Sequence, residues 1–120
     1  MDKLEHIFEK QRSFDEELIQ RRGIDFDMAT WVQKETLAII SELAELIDEV
    51  NFKWWKNPRE MDRERITEEL VDVLHFFVSM CLKVGLSADD LYQAYLVKNE
   101  ENFRRQDGKS LKEGYTAPTK

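Results

Sequence analysis

The stretch Leu37-Ala-Ile-Ile-Ser-Glu-Leu-Ala-Glu-Leu-Ile-Asp-Glu-Val50 decides the reading of this chain. At 100° per residue, Glu42, Glu45 and Glu49, with Glu35 upstream, fall within one narrow sector. Ile39, Ile40, Leu43, Leu46, Ile47 and Val50 form a broad apolar face immediately beside it. That pattern is an amphipathic helix with an acidic edge. A second helix repeats it: Glu69 and Asp72 share a face with Phe76, beside Leu70, Val73, Leu74 and Phe77. If both apolar faces pack on one core, the two acidic edges meet. Four carboxylates close together in low dielectric repel one another strongly. Cations relieve that repulsion, and oxygen-only ligands suit Mg²⁺ or Mn²⁺. Spacing alone leaves open ordinary solvated faces, with Glu49 and Lys53 as an i,i+4 pair.

Working outward, four helical stretches follow from apolar spacing. The first runs from about Asp2 to Arg22 and stops at Gly23; the second begins near Asp27. The third runs from about Asp62 to Val84 and stops at Gly85. The fourth starts at Ser87, where Ser-Ala-Asp-Asp resembles a capping box, and continues to about Arg105. Asn57-Pro58 marks a turn between the second and third. The expectation is an all-α bundle over residues 1–106, with a flexible tail over 107–120. Only four Gly and two Pro leave few turn signals for an all-β fold.

The 120 residues fit one domain, and 42% hydrophobic content is too high for a disordered chain. With 18 basic and 25 acidic side chains, the net charge of −7 argues against nucleic acid as the partner. It leaves room for a polyanionic small substrate bridged by divalent cations. A single cysteine, Cys81, excludes an intramolecular disulfide and a cysteine-only zinc site. No apolar run approaches a membrane span, and the charged N-terminus lacks a signal-peptide core, so a cytoplasmic protein is expected. A di-iron bundle needs Glu-x-x-His pairs; Asp72-x-x-His75 alone is weak, and His75 reads as a supporting or core histidine.

Other polar residues interrupt apolar stripes. Gln11 and Asp15 occupy positions of the first helix where its stripe of Leu4, Phe8 and Leu18 expects hydrophobes. A buried amide needs a hydrogen-bond partner, either a ligand or a neighbouring backbone, and the backbone is the expectation. Leu91, Tyr95, Lys98, Asn102 and Arg105 share a face of the fourth helix. Its cations suit phosphates, or simply complement the helix dipole. Lys53-Trp54-Trp55-Lys56 offers indoles to stack on a base and lysines for its phosphates, or two rings closing the end of a small core.

Taken together, Glu42-x-x-Glu45 and Glu69-x-x-Asp72 resemble the metal-binding signature of the all-α nucleoside triphosphate pyrophosphatases. That superfamily includes MazG-like enzymes, dimeric dUTPases, dCTP pyrophosphatases and phosphoribosyl-ATP pyrophosphatases. Residues 41–56, Glu69-Leu-Val-Asp-Val-Leu-His-Phe76, Phe8-Glu-Lys-Gln-Arg-Ser-Phe-Asp15 and Tyr95-x-x-Lys-Asn-x-x-Asn-x-x-Arg-Gln106 are most similar to the dimeric dUTPase branch. The resemblance implies an oligomeric four- to five-helix bundle. It implies Mg²⁺ (with Mn²⁺ as a substitute) on Glu42, Glu45, Glu69 and Asp72, and Glu42 or Glu45, Glu42 by preference, orienting or deprotonating the attacking water. It also implies Lys53, Lys56, Lys98 and Arg105 as phosphate cations, a uracil pocket of Gln11, Trp54 and Phe76, and Asn102 near the sugar or base.

The chain departs from the family at Asp15, where an Asn is common. An ionised carboxylate only accepts hydrogen bonds, so Asp15 favours the amino group of cytosine over uracil O4, or takes no part. The expected activity is hydrolysis of dUTP to dUMP and pyrophosphate. The alternatives are a MazG-like or dCTP-type pyrophosphatase of other base specificity, and a non-enzymatic helical interaction module. Apolar residues beyond a single stripe (Leu37, Ala44, Val71 and Val78) point to a homodimer or a dimer of dimers, with no nucleic-acid or membrane partner.

Overall fold

The computed structural model describes residues 1–115. Its elements are α1 (Lys3–Arg22), α2 (Met28–Asp48), α3 (Arg63–Val84) and α4 (Ala88–Gln106), with no strand among the described residues. Each helix begins where a short polar side chain replaces the missing intrahelical acceptor. Asp2 accepts from the Glu5 N–H, Asp27 from Thr30, Asp62 from Glu64 and Ser87 from Asp90. Ser87 and Asp90 cap each other reciprocally, which makes the capping box complete. Gly23 and Gly85 end α1 and α3 at φ of +59° and +90°, a left-handed turn that L side chains adopt only with strain.

The chain forms two compact units, the first Met1–Leu86 and the second beginning at Ser87. In the first, α3 packs most extensively along α2 and also against α1. Phe8, Val78 and Cys81 are its buried apolar centre. Val78 is only 1% exposed, so it belongs to the core and not to the second surface on which its sequence position placed it. The reverse holds for much of the apolar face on α2. Ile39 and Leu46 are half-buried, whereas Ile40, Leu43, Ile47 and Val50 are exposed, as are Leu70, Leu74 and Phe77 on α3. Three helices do not offer enough partner surface to cover both stripes. The α2–α3 connection is fastened by Asn51, at φ +59°, whose amide donates to the Arg59 carbonyl at 2.8 Å and accepts the Arg59 N–H at 3.0 Å.

In the second unit the residues after α4 fold back on it. The Ser110 hydroxyl donates to Glu101 at 2.6 Å, and the Arg105 guanidinium lies 5.5 Å from the Tyr115 ring. Ser110 and then Arg104 hold the Glu101 carboxyl down at about 2. Residues 116–120 of the expected tail lie outside the described residues. No single helix among the described residues is long and apolar enough to cross a membrane.

Candidate active site

Where α1, α2 and α3 meet, they enclose a cleft of about 550 Å³. From α1 it receives Gln11, Phe14 and Asp15; from α2, Trp31, Glu35 and Glu42; from α3, Asp72, His75, Phe76 and Ser79. The α3 set follows from helical period, because Asp72, His75, Phe76 and Ser79 recur at i, i+3, i+4 and i+7 and so share one face.

One end of the cleft is acidic. Single oxygens of Glu42, Glu69 and Asp72 lie within 4.8 Å of one another. Oε2 of Glu42 and Oε2 of Glu69 are both buried and without a hydrogen-bond partner. Desolvation, followed by the neighbouring Glu45 carboxyl, pushes Glu42 up to about 7 and Glu69 in the same direction. Orphaned, mutually repelling oxygen donors in this arrangement fit a hard divalent cation such as Mg²⁺ or Mn²⁺, which needs no nitrogen or sulfur ligand.

The other end carries carboxylates tied to a hydroxyl and a cation, although Oε2 of Glu35 is buried without a hydrogen-bond partner. Asp15 accepts from the Gln11 amide at 2.9 Å, from the Ser79 hydroxyl at 2.7 Å and from the Lys83 ammonium at 3.2 Å. Glu35 is 6% exposed and hydrogen-bonded to Ser79, with Lys83 at 3.9 Å. Lys83 also stands 4.2 Å from the centre of the Trp31 ring, a cation–π contact. Burial raises the Glu35 pKa against the opposing pull of Ser79 and Lys83. Gln11, 6% exposed, meets side chains on both sides instead of the expected backbone: its amide donates to Asp15 and its carbonyl faces His75 Nδ1 at 2.6 Å. With the carbonyl oriented toward it, Nδ1 carries a ring proton. His75 is therefore a cleft residue that orients Gln11, with its ring exposed and not in a core.

Residues 3–87, which carry all of α1, α2 and α3 and every residue lining the cleft, match the family model described as dUTPase. The chain belongs to the dUTPase family. Among curated proteins, this dUTPase-family chain is 33% identical to the dCTP pyrophosphatase of Enterobacteria phage LZ5 over 75 residues, which are 62% of this chain and 44% of that protein. It is 28% identical to the dCTP pyrophosphatase of Enterobacteria phage T4 over 105 residues, 68% of this chain and 61% of that protein. The chain thus spans about half the length of the curated relatives it matches. No solved structure matches it significantly.

Of the residues singled out in the sequence, the cleft brings together Gln11, Asp15, Glu42, Asp72 and Phe76, with Glu69 joining Glu42 and Asp72. Glu45 is exposed beside them. Trp54 does not line the cleft: it is 84% exposed and sits edge-on to Trp55, with ring centres 4.6 Å apart. The indole in the cleft is Trp31, which apolar spacing alone did not separate from core aromatics. Lys53 and Lys56 line a separate depression of about 240 Å³ with Asp48, Asn51, Asn57 and Arg59. Lys53 pairs with Asp48 at 3.3 Å, and Glu49 with Arg59 at 3.4 Å. The Glu49–Lys53 pair that spacing left open is not formed among the described residues, because α2 ends at Asp48 and i,i+4 spacing no longer applies. Lys98, Asn102 and Arg105 lie on α4 in the second unit, where Arg105 pairs with Glu101 at 3.2 Å. Glu35, Ser79 and Lys83 were missed as a group, although Ser79 interrupts an apolar run and Lys83 follows it by one turn.

Proposed function

We propose that this chain is a Mg²⁺-dependent nucleotide pyrophosphohydrolase that cleaves a pyrimidine deoxynucleoside triphosphate between its α and β phosphates. One observation carries the proposal: oxygens of Glu42, Glu69 and Asp72 converge within 4.8 Å, with a buried unpartnered oxygen on each of the two glutamates, beside a cleft that also holds Gln11, Trp31 and Phe76. Glu42, Glu69 and Asp72 would hold the cation, with Glu45 beside them. When bound, Mg²⁺ neutralises triphosphate charge and acidifies a water molecule. Glu42 lines the cleft and Glu45 is exposed, so Glu42 is the group that orients the attacking water and takes its proton. Water oxygen bonds to phosphorus, the bridging P–O bond breaks, and a monophosphate and pyrophosphate leave. Phe76, one turn beyond Asp72, stacks on the base while the phosphates reach the acidic end. The family description points to dUTP and the phage relatives' names to dCTP.

The exposed apolar side chains of α2 and α3, among them Leu37 (64% exposed), Ile40, Leu70 and Val71, support a homodimer or a dimer of dimers. Sedimentation equilibrium at micromolar concentration tests this: an active species at the monomer mass of 14.3 kDa contradicts it. For the activity, thermal unfolding is followed with Mg²⁺ and non-hydrolysable analogues of dUTP and dCTP. A marked upward shift with either analogue is expected, because ligands of the native state stabilise it. No shift with any nucleotide would favour a helical interaction module instead.

A further inference from the structure

At the end of the cleft away from Glu42 and Asp72, Ser79 sits between two carboxyls and an ammonium. Ser79 Oγ has three polar neighbours: Lys83 Nζ at 3.1 Å, Asp15 Oδ2 at 2.7 Å and Glu35 Oε1. Lys83 has only donors, so it gives a proton to Ser79. The hydroxyl owns one proton and can give it to only one of the two carboxyls. The remaining close contact needs a proton from a carboxyl group. Asp15 is surrounded by donors, from Gln11 and Lys83 as well as Ser79, and holds the negative charge. The proton therefore sits on Glu35 Oε1 and points at Ser79, and burial favours this neutral form.

That assignment fixes the character of the other Glu35 oxygen. Oε2 is a buried acceptor with no hydrogen-bond partner, on a side chain that lines the cleft. An unpaired acceptor in such a place is costly unless something entering the cleft donates to it. Asp15, ionised, also offers only acceptors. The structure has thus built a cleft end that asks for a donor, and it holds that end in place from α1, α2 and α3 together.

We propose that Glu35, oriented by Ser79 and backed by Asp15, is the base-selecting residue of the cleft, and that it favours a 4-aminopyrimidine (cytosine) over a 4-oxopyrimidine (uracil). The inference rests on the pyrophosphohydrolase reading. The exocyclic amino group supplies the missing donor, and the second N–H of the Gln11 amide is left to meet a ring acceptor beside it. A uracil O4 in the same place would set acceptor against acceptor.

The test compares kcat/KM for dCTP and dUTP with Mg²⁺ in the wild-type protein and in Glu35→Met and Ser79→Ala. The wild type is expected to prefer dCTP by about 10-fold or more. Glu35→Met removes the acceptor and keeps much of the side-chain volume, so the dCTP-to-dUTP ratio falls about 10-fold or more. Ser79→Ala removes the group that orients Glu35, so the ratio moves the same way by less. A purely structural role for Glu35 would lower both rates together and leave the ratio fixed, which overturns the inference. Equilibrium binding of dCMP and dUMP to the wild type needs no variant, and tighter dCMP binding is expected. Equal binding, or a preference for dUMP, overturns the inference while leaving the pyrophosphohydrolase reading intact. Hydrolysis of neither triphosphate overturns that reading and this inference with it.

Discussion

At one end of the cleft Lys83 stands 3.2 Å from Asp15 and 3.9 Å from Glu35, and Ser79 bridges the two carboxyls. At the other end Glu42, Glu69 and Asp72 come within 4.8 Å, and among the described residues none of them pairs with a basic side chain. The two acidic clusters share α2 and α3, so the difference is not one of fold. Where the protein keeps acid for its own structure it supplies a cation and a hydroxyl with it. Where it leaves acid unpaired and partly buried, the repulsion is relieved by a retained proton or by a cation from outside.

The contrast breaks most visibly if one acidic end is neutralised. Asp72→Asn or Glu45→Gln should lower hydrolysis by about 10³-fold or more, since metal assistance is worth several kcal/mol of barrier. Thermal unfolding of either apo variant should show no loss of stability, because the amide keeps shape and relieves repulsion. Unchanged turnover at saturating Mg²⁺ removes that residue from the metal set.

The internally paired end should answer in stability. Lys83→Met leaves Asp15 charged and nearly buried without its cation, at a cost of about 3 kcal/mol. Urea unfolding measures it. A change below about 0.5 kcal/mol, the range of an ordinary surface substitution, would make this end no different from a solvated pair.

Phe76 lies between the ends and sharpens the comparison. Phe76→Ala should weaken nucleotide binding by about 1–3 kcal/mol, as expected for loss of base stacking. Affinity for bare pyrophosphate should hold, by calorimetry with Mg²⁺. Equal weakening of both ligands would mean that the ring serves the packing and not the base.

The smallest effect expected is on pH dependence. Folding raises Glu42 from 4.5 to about 7, so the folded apoprotein holds that proton more tightly than the unfolded chain. Stability from this source is full below about 4.5 and is lost as pH rises through about 7. Glu69 acts in the same direction. The apoprotein Tm should therefore fall between pH 5 and pH 7.5, and saturating Mg²⁺ should remove the fall. An identical slope with and without Mg²⁺ would contradict the metal assignment.

Much of this was legible in the sequence. Asp2, Asp27, Asp62 and Ser87 gave the helix starts and Gly23 and Gly85 two stops, because capping depends on a few neighbouring residues. The convergence of Glu42 with Glu69 and Asp72 was readable from two helical periods and one shared core. Angular period alone placed Glu35 in the same sector as Glu42. Two turns of helix set them about 10 Å apart along the axis, which puts them at opposite ends of the cleft. The bridge from α1 to α3 through Asp15, Ser79 and Lys83 spans more than sixty residues of chain. It depends on how the helices are rotated against one another, which no local pattern encodes. The same limit explains Val78, which packing turned inward, and Trp31, which took the place expected of Trp54.

The central claim is that the acidic end uses a divalent cation to split a triphosphate into monophosphate and pyrophosphate. Phosphorus NMR of dCTP and dUTP incubated with the protein and Mg²⁺ tests it most directly. The account predicts a pyrophosphate signal growing in step with the nucleoside monophosphate, abolished by EDTA and absent in Asp72→Asn. Release of inorganic phosphate with a nucleoside diphosphate, or no turnover of either nucleotide, would contradict it.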